Sequence, residues 1–549
     1  MSPAAVPLPE AHDDAGPGAE ASRAADVNAA TEVNRATDAS QAAEVSRDPR
    51  TGAATAGPPA TTPARLSAAL AAAARDAEEF GATAPAVRAG RLAAVADALE
   101  EHAGELAALA DAETALGPER LRGEVGRAAA QLRFYGSVAV EGSWLGVRID
   151  GPDTTGSAEL RRMNRPLGPV AVFGASNFPF AFGVAGHDTA SALAAGCPVL
   201  VKAHPAHPLL SARLGDLVSG ALRAAGAPEG AFALVTGFDA GLALVDAPEV
   251  AAVAFTGSQS GGTALVERAA RRPVPVPVFA EMGTVNPVAL TPAAAGVSDG
   301  TAAAAEGFTG SFTLGQGQFC TKPGLLLAPA GSGAADAVAT ALRKVAPGVL
   351  LTESIAAAYR QGVADLVAAG ATPVASVPAL TGGFAAEPTV LTVPARALRP
   401  GSRLLAECFG PVALVAEYGS VAELREVLAA LQPSLAASVI SAGPDDPDLP
   451  WLVEQLARRT GRVVVDGWPT GVATAWAQQH GGPWPATSRP EATSVGASAL
   501  DRFTRPVAYQ GVPQAALPMA LRDGNPWGVV RRLDGAPEPA GAAAAGGRA

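Results

Sequence analysis

The chain has 549 residues, 48% hydrophobic and 17% charged, a globular composition that excludes a wholly disordered or fibrous protein and allows two or three domains. The 52 acids against 40 Lys and Arg leave a net charge of −12, which argues against nucleic acid or an anionic membrane as a partner. Three cysteines in so long a chain exclude a disulfide scaffold and suit a reducing compartment.

Residues 1–60 contain no Phe, Trp or Tyr and carry 9 acids against 4 bases. Acids recur every six residues at Glu20, Asp26, Glu32, Asp38 and Glu44, a period that cannot build a continuous apolar stripe on a helix. A disordered, solvating tail is the expectation. The first residues lack the basic and apolar stretches of a secretion signal, and no span of the chain is apolar enough for a membrane helix, so a cytoplasmic protein is expected. Arg65–Phe80 and Ala86–Leu116 have the apolar spacing of amphipathic helices. From residue 168 short apolar runs alternate with helix-like stretches: Pro169–Phe173, Pro198–Val201, Ala251–Phe255 and Pro277–Ala280 predict strands, while Leu210–Ala225 and Gly261–Arg271 predict helices. A second alternation runs through Pro287–Leu290, Gly324–Ala328, Val412–Ala416 and Val463–Asp466. Strand–helix alternation with near-continuous apolar strands predicts doubly wound parallel sheets in two lobes, an α/β fold. Ligands of such sheets sit at the carboxyl ends of the strands, so the residues there carry the candidate chemistry.

Those positions hold Asn177, Lys202, Gly257, Ser258, Gly262 and Glu281, and the second half adds Cys320 after Gly315-Gln316-Gly317-Gln318, and Glu407 with Phe409. A soft nucleophile, a carboxylate, an amide donor, a cation and a Gly-edged helix start are what oxidation of an aldehyde through a thioester requires. Taken singly, most of these have ordinary explanations. Free Cys is usually a small buried hydrophobe, the reading given to Cys197 and Cys408. Asn177 would serve as a helix cap, and the GxxxxG from Gly257 to Gly262 is a weak signal by itself. Six His without an HExxH or Cys/His cluster predict no metal site.

The order and spacing of the whole set, over residues 65–535, resemble the aldehyde dehydrogenase superfamily. The likeness is strongest to bacterial α-ketoglutaric semialdehyde (2,5-dioxovalerate) dehydrogenases and their NADP-linked fatty-aldehyde relatives, carried by Arg165-Pro166-Leu167-Gly168-Pro169, Phe178-Pro179-Phe180-Ala181-Phe182, Lys202-Ala203-His204-Pro205-Ala206-His207-Pro208, Ala280-Glu281-Met282-Gly283, His480-Gly481-Gly482-Pro483 and Asp501-Arg502-Phe503. The resemblance implies two interlocked parallel-sheet domains, with residues 65–140 and 161–282 binding NAD or NADP and 283–488 catalytic. It further implies an oligomerisation element at 141–160 and 489–532 that includes Trp144–Val147 and Arg505–Val507, a homodimer or tetramer, and disordered tails at 1–64 and 533–549. By the same resemblance Cys320 is the nucleophile and Glu281 the base, its pKa raised by partial burial. Asn177 donates to the oxyanion. Lys202, Gly257, Ser258, Gly262, Glu407, Phe409 and His480 contact the cofactor, with His204 and His207 flanking its adenine end. A structural His480, or one that moves a proton, stays an alternative.

Many NAD-specific members carry a Glu three positions after the lysine, where this chain has Pro205, so neither dinucleotide is selected. Arg127, Gln131 and Arg133 are candidates to hold a substrate carboxylate, although their spacing does not put all three on one helical face. The implied reaction is oxidation of 2,5-dioxopentanoate to 2-oxoglutarate. The alternatives are an NADP-linked fatty-aldehyde dehydrogenase and a non-catalytic scaffold of the same fold.

Overall fold

The computed structural model describes residues 43–538. It opens with a hairpin, β1 (Val45–Arg47) and β2 (Ala54–Ala56), paired antiparallel. Residues 43–60 are therefore ordered, contrary to the tail expected from composition, while the first four acids of the six-residue repeat lie outside the described residues. Tertiary contacts supply the order that the local pattern lacks. Arg50 grips the Asp111 carboxylate with one guanidinium nitrogen at 2.9 and 3.0 Å, and Thr61 exchanges backbone and side-chain bonds with Thr236.

Four helices follow: α1 (Pro63–Ala82), α2 (Pro85–Glu101), α3 (Ala103–Thr114) and α4 (Pro118–Glu141). Thr62 caps α1 by accepting from the Arg65 N–H, Pro63 starts it without wasting a donor, and Leu66, Leu70, Ala73 and Phe80 form its buried stripe. The single helix expected over Ala86–Leu116 is broken at His102, whose ring nitrogen turns back to the Ala98 carbonyl at 3.0 Å. Strands β3 (Val147–Asp150) and β4 (Leu160–Pro166) lead into the first parallel sheet.

That sheet consists of β5 (Val170–Phe173), β6 (Val199–Lys202), β7 (Phe232–Val235), β8 (Ala252–Gly257) and β9 (Val278–Met282) in the order β7-β6-β5-β8-β9, all parallel. Helices α5 (His187–Ala195), α6 (Pro208–Ala224), α7 (Phe238–Asp246) and α8 (Gln259–Ala270) make the crossovers. The chain winds outward from β5 in both directions, so a crevice opens between β5 and β8 at their carboxyl ends. Every residue of β6 is buried, which explains its unbroken apolar run up to Lys202.

The second sheet has seven strands. They are β10 (Pro287–Leu290), β11 (Leu325–Pro329), β13 (Thr372–Ser376), β15 (Thr389–Pro394), β16 (Val412–Tyr418), β17 (Ser434–Ile440) and β18 (Thr460–Val465), ordered β13-β15-β16-β11-β10-β17-β18. Short strands β12 (Gly348–Val349) and β14 (Ala385–Ala386) pair with each other beside it. A third sheet joins β19 (Thr504–Gln510), β4, β3, β20 (Arg531–Leu533) and β21 (Ala536–Pro537). The last of these falls inside the expected C-terminal tail: β21 pairs with β20, and Glu538 makes an ion pair with Arg531. Among the described residues no helix is long and apolar enough to cross a membrane.

The cores are built from small aliphatic groups, as the 5% aromatic content requires. Helix α5 is buried along its whole length, and its Ala-rich faces let β5, β6 and α4 approach closely.

Candidate active site

Cys320 follows a short turn, Leu314–Gly317, in which Gly315, Gln316 and Gly317 all have positive φ. Gly317 is required there twice over: its φ is +66°, and a Cβ would lie 2.2 Å from the Gly410 carbonyl oxygen. The buried amide of Asn286 fastens the stretch after the turn by donating to the carbonyls of Cys320 (2.8 Å) and Lys322 (3.1 Å). The result is a partly buried thiol held on a rigid loop between the lobes.

Glu281 reaches the same point from β9. The 486–488 segment pairs with the end of that strand, through Met282 N–H to Ala486 and an antiparallel bridge to Thr487. His480 arrives on the loop that precedes this segment, its N–H donating to Thr493 Oγ1 at 2.8 Å. The Cys320 Sγ lies 3.6 Å from His480 Nε2, which lies 2.9 Å from Glu281 Oε1. Ser494 Oγ donates to the other carboxylate oxygen, Oε2. Sulfur, imidazole and carboxylate thus form one relay, with Glu281 and His480 buried.

The electrostatics follow from that packing. Burial pushes the Cys320 thiol well above its ordinary value, reinforced by the Glu281 and Glu407 carboxylates, so the resting sulfur is a thiol and needs a base. For Glu281 burial alone acts upward, but the His480 imidazole and the hydrogen bonds from His480 and Ser494 outweigh it and hold the carboxyl below its usual range. This corrects the upward shift expected for Glu281: the strand end is buried but supplied with donors. His480 Nε2 lies in contact with the sulfur, a position that suits the proton-moving alternative for this residue. The same Sγ, Nε2 and carboxylate oxygen lie within 4.8 Å of one another, a spacing that would also suit a metal ion. The motif search could not register this cluster, because its members come from positions 281, 320 and 480.

Asn177 is buried beside the turn, and its amide donates to the Gln318 carbonyl at 2.8 Å, leaving its second N–H for another acceptor. A cavity of about 890 Å³ opens next to Gln318 and Phe319, walled by Phe178 and crossed by Arg120, Glu124 and Arg127 of α4. The Arg120 guanidinium lies 5.1 Å from the ring centres of both Phe178 and Phe319, and that of Arg127 lies 5.7 Å from Phe178. Of the three residues proposed for a carboxylate, only Arg127 lines this cavity. Gln131 is buried behind it: the amide orientation that satisfies both ends accepts from Arg127 Nε at 3.1 Å and His187 Nε2 at 2.6 Å. Arg133 points to the outer face of α4 and is engaged by Glu100 and Asp97. Sequence reasoning missed Arg120, although a residue seven positions before Arg127 falls within about 20° of it around a helix.

Residues at the carboxyl end of the first sheet fit a dinucleotide. Ser258 caps α8 by accepting from Gly261 N–H at 3.1 Å, so the helix N-terminus after Gly257 opens at the crevice. At Gly262 a Cβ would fall 2.5 Å from Met282 Sδ, so glycine is what lets α8 lie against β9. Glu407 faces Gly283, where a Cβ would meet its carboxylate at 2.2 Å, and its Oε1 is shut from solvent with no hydrogen-bond partner among the described residues. Burial pushes Glu407 up to about 7 against the pull of Lys322. Phe409, two residues on, is half-buried. His204 and His207 are both driven well toward the neutral form by burial, with His207 Nδ1 against Ser211 Oγ at 3.2 Å.

A parallel-sheet lobe with a dinucleotide-shaped crevice, facing a lobe that presents a thiol with its own base, defines an enzyme that oxidises a carbonyl carbon through sulfur. Residues 36–484 match the Aldehyde dehydrogenase family, and the chain belongs to that family. It is an NAD(P)-dependent aldehyde dehydrogenase. Alpha-ketoglutaric semialdehyde dehydrogenase 2 of Azospirillum brasilense is 44% identical over 481 residues, which is 85% of this chain and 90% of that protein. Alpha-ketoglutaric semialdehyde dehydrogenase of Acinetobacter baylyi is 38% identical over 82% of this chain and 86% of its own. Among solved structures, an NAD-dependent aldehyde dehydrogenase from Sinorhizobium meliloti superposes with a TM-score of 0.72 at 25% identity, covering 87% of this chain and 93% of that one.

Proposed function

We propose that this aldehyde dehydrogenase oxidises 2,5-dioxopentanoate to 2-oxoglutarate, with Cys320 as the nucleophile. The observation that carries the assignment of the sulfur is its contact with the His480–Glu281 pair. The Glu281 carboxylate, held as an anion in hydrogen-bond contact with the thiol, takes its proton, and the His480 imidazole, 2.9 Å from the same carboxylate, orients it. Sulfur then bonds to the aldehyde carbon, and the oxygen that becomes negative accepts from the free N–H of Asn177 and from the Cys320 backbone. One such donor contributes about 2.7–4 kcal/mol to the transition state. The dinucleotide, when bound, supplies the acceptor for the two electrons and the hydrogen that leave this carbon. Lys202, Ser258, Gly257 and Gly262 would hold it from one lobe, and Glu407 and Phe409 from the other. What remains on the chain is a thioester at Cys320. A water adds to it while the imidazole–carboxylate pair takes the water proton, the carbon–sulfur bond breaks, the sulfur regains a proton and the acid leaves.

Two features support this substrate: the names of the two relatives above, and the pair of guanidinium groups in the cavity mouth. A dioxo acid presents a carboxylate at the end remote from its aldehyde, and Arg120 and Arg127 are partly desolvated cations placed to receive it. A fatty aldehyde has nothing for them. The enzyme is further proposed to act in the cytoplasm as a homo-oligomer joined through the third sheet, whose strand β19 has largely exposed side chains. The test is a steady-state panel of 2,5-dioxopentanoate, succinic semialdehyde and hexanal, each with NAD and NADP, on the wild type and Arg120→Ala. The expected result is the highest kcat/KM for the dioxo acid and a rise in its KM of roughly ten-fold in the variant, with hexanal unaffected. Equal loss for hexanal would remove the carboxylate assignment.

A further inference from the structure

Lys202, at the carboxyl end of β6, has a buried stem but an ammonium that makes no hydrogen bond to any described residue. A charged neighbour comes from the ordered N-terminal hairpin: Glu44 Oε1 lies 4.0 Å from Lys202 Nζ. That carboxylate is itself anchored, accepting from the Gly237 N–H at 2.8 Å where β7 turns into α7. The two side chains are 10% and 13% exposed, so the pair is sheltered without being sealed from solvent. A hydroxyl oxygen about 2.8 Å from both atoms spans a 4.0 Å gap, accepting from the ammonium and donating to the carboxylate.

We infer that Glu44 reads the adenine ribose of the dinucleotide, accepting from its 2′-hydroxyl and excluding a 2′-phosphate, so that the enzyme prefers NAD. In nucleotide-binding sheets of this kind a carboxylate near the strand ends receives that hydroxyl, whereas NADP sites place an Arg there. Position 205, three residues after Lys202, is proline and supplies no carboxylate. The hairpin supplies one from a distant part of the sequence. The surrounding charge agrees. His204 and His207 are driven toward the neutral form by burial, so beside Lys202 the charge shown is the Glu44 carboxylate, which offsets the ammonium and opposes a dianionic phosphate. The inference concerns the dinucleotide and stands apart from which aldehyde the enzyme takes.

The test is calorimetric titration of the full-length protein with 5′-AMP and with 2′,5′-ADP, probes that differ only at the ribose 2′-position, followed by NAD and NADP. The wild type should bind 5′-AMP at least roughly ten-fold tighter than 2′,5′-ADP, and Glu44→Gln should erase or invert that ratio. Because Glu44 also pins the hairpin, Arg50→Ala, which cuts the hairpin's tie to Asp111 without touching Lys202, serves as a control. General loosening changes both probes by one factor and keeps their ratio. A wild type that binds 2′,5′-ADP as tightly as 5′-AMP, or a Glu44→Gln protein with an unchanged ratio, overturns the inference.

Discussion

Replacing Glu407 by Gln tests whether the cofactor crevice is built at the expense of stability. In the folded chain the carboxyl is pushed from 4.5 up to about 7, chiefly by burial, with Lys322 pulling the other way. Such a displacement costs the ionised form about 3 kcal/mol. The sign follows from the protons bound. Between pH 4.5 and 7 the folded protein holds a proton that the unfolded chain has released, so the contribution is full below pH 4.5 and is lost as pH rises through about 7. Gln has the same shape and no charge to desolvate. The stability of Glu407→Gln relative to wild type should therefore climb with pH. About 2 kcal/mol of the climb falls between pH 5.5 and 8.5, a range clear of the isoelectric point near 5.1. Urea unfolding of both proteins without dinucleotide, at four pH values across that range, isolates the term because every other titrating group is shared. A difference that stays flat with pH would mean that the carboxylate is solvated, and its proposed hold on the dinucleotide would go with it.

Two further predictions concern the relay. His480→Ala should slow alkylation of Cys320 by iodoacetamide at pH 7 by at least roughly ten-fold, since the forming thiolate loses the imidazole 3.6 Å away and the carboxylate base loses the group that orients it, and an unchanged rate would remove the imidazole from thiol activation. Glu281→Gln keeps a hydrogen-bonding group against His480 but loses the carboxylate that takes the thiol and water protons. The first-turnover burst of NAD(P)H should slow, and the steady state should slow more, on the order of 100-fold, because water is a far weaker acid than a thiol. A normal multiple-turnover rate would exclude Glu281 from both steps, and Cys320→Ala, which has no sulfur to acylate, sets the zero of each assay.

How much was legible in the sequence depends on whether the determining contacts were local. The strands β5, β6, β8 and β10 are apolar runs ended by Gly, Pro or a polar residue, and their boundaries shifted by at most a residue or two. The edge strand β7 (Phe-Ala-Leu-Val) is too short to stand out in an Ala-rich chain and was not predicted. The acid repeat of the first residues was read only as a period. Its last member, Glu44, folds back because Lys202 and the Gly237 amide await it, which no window around residue 44 contains. Ser494 was out of reach for the same reason, being tied to Glu281 across the loop that carries His480. Arg120 was not: its position seven residues before Arg127 on one helix places it on the same face, and the carboxylate candidates were instead sought at 131 and 133, which turn away from the cavity.

The relay also accounts for why single positions carried so little information. Sulfur and imidazole come from two separate loops and the carboxylate from the end of β9, and each is unremarkable in its own surroundings. What distinguishes them is mutual: Glu281 tolerates burial because His480 and Ser494 donate to it, and Cys320 resists ionising because two carboxylates face it. Neither shift exists for the residue alone. A buried acid that stays charged beside a thiol that stays protonated is a base facing its proton, with the imidazole holding the acid in place. That division of labour makes Glu281 the group on which the first chemical step turns.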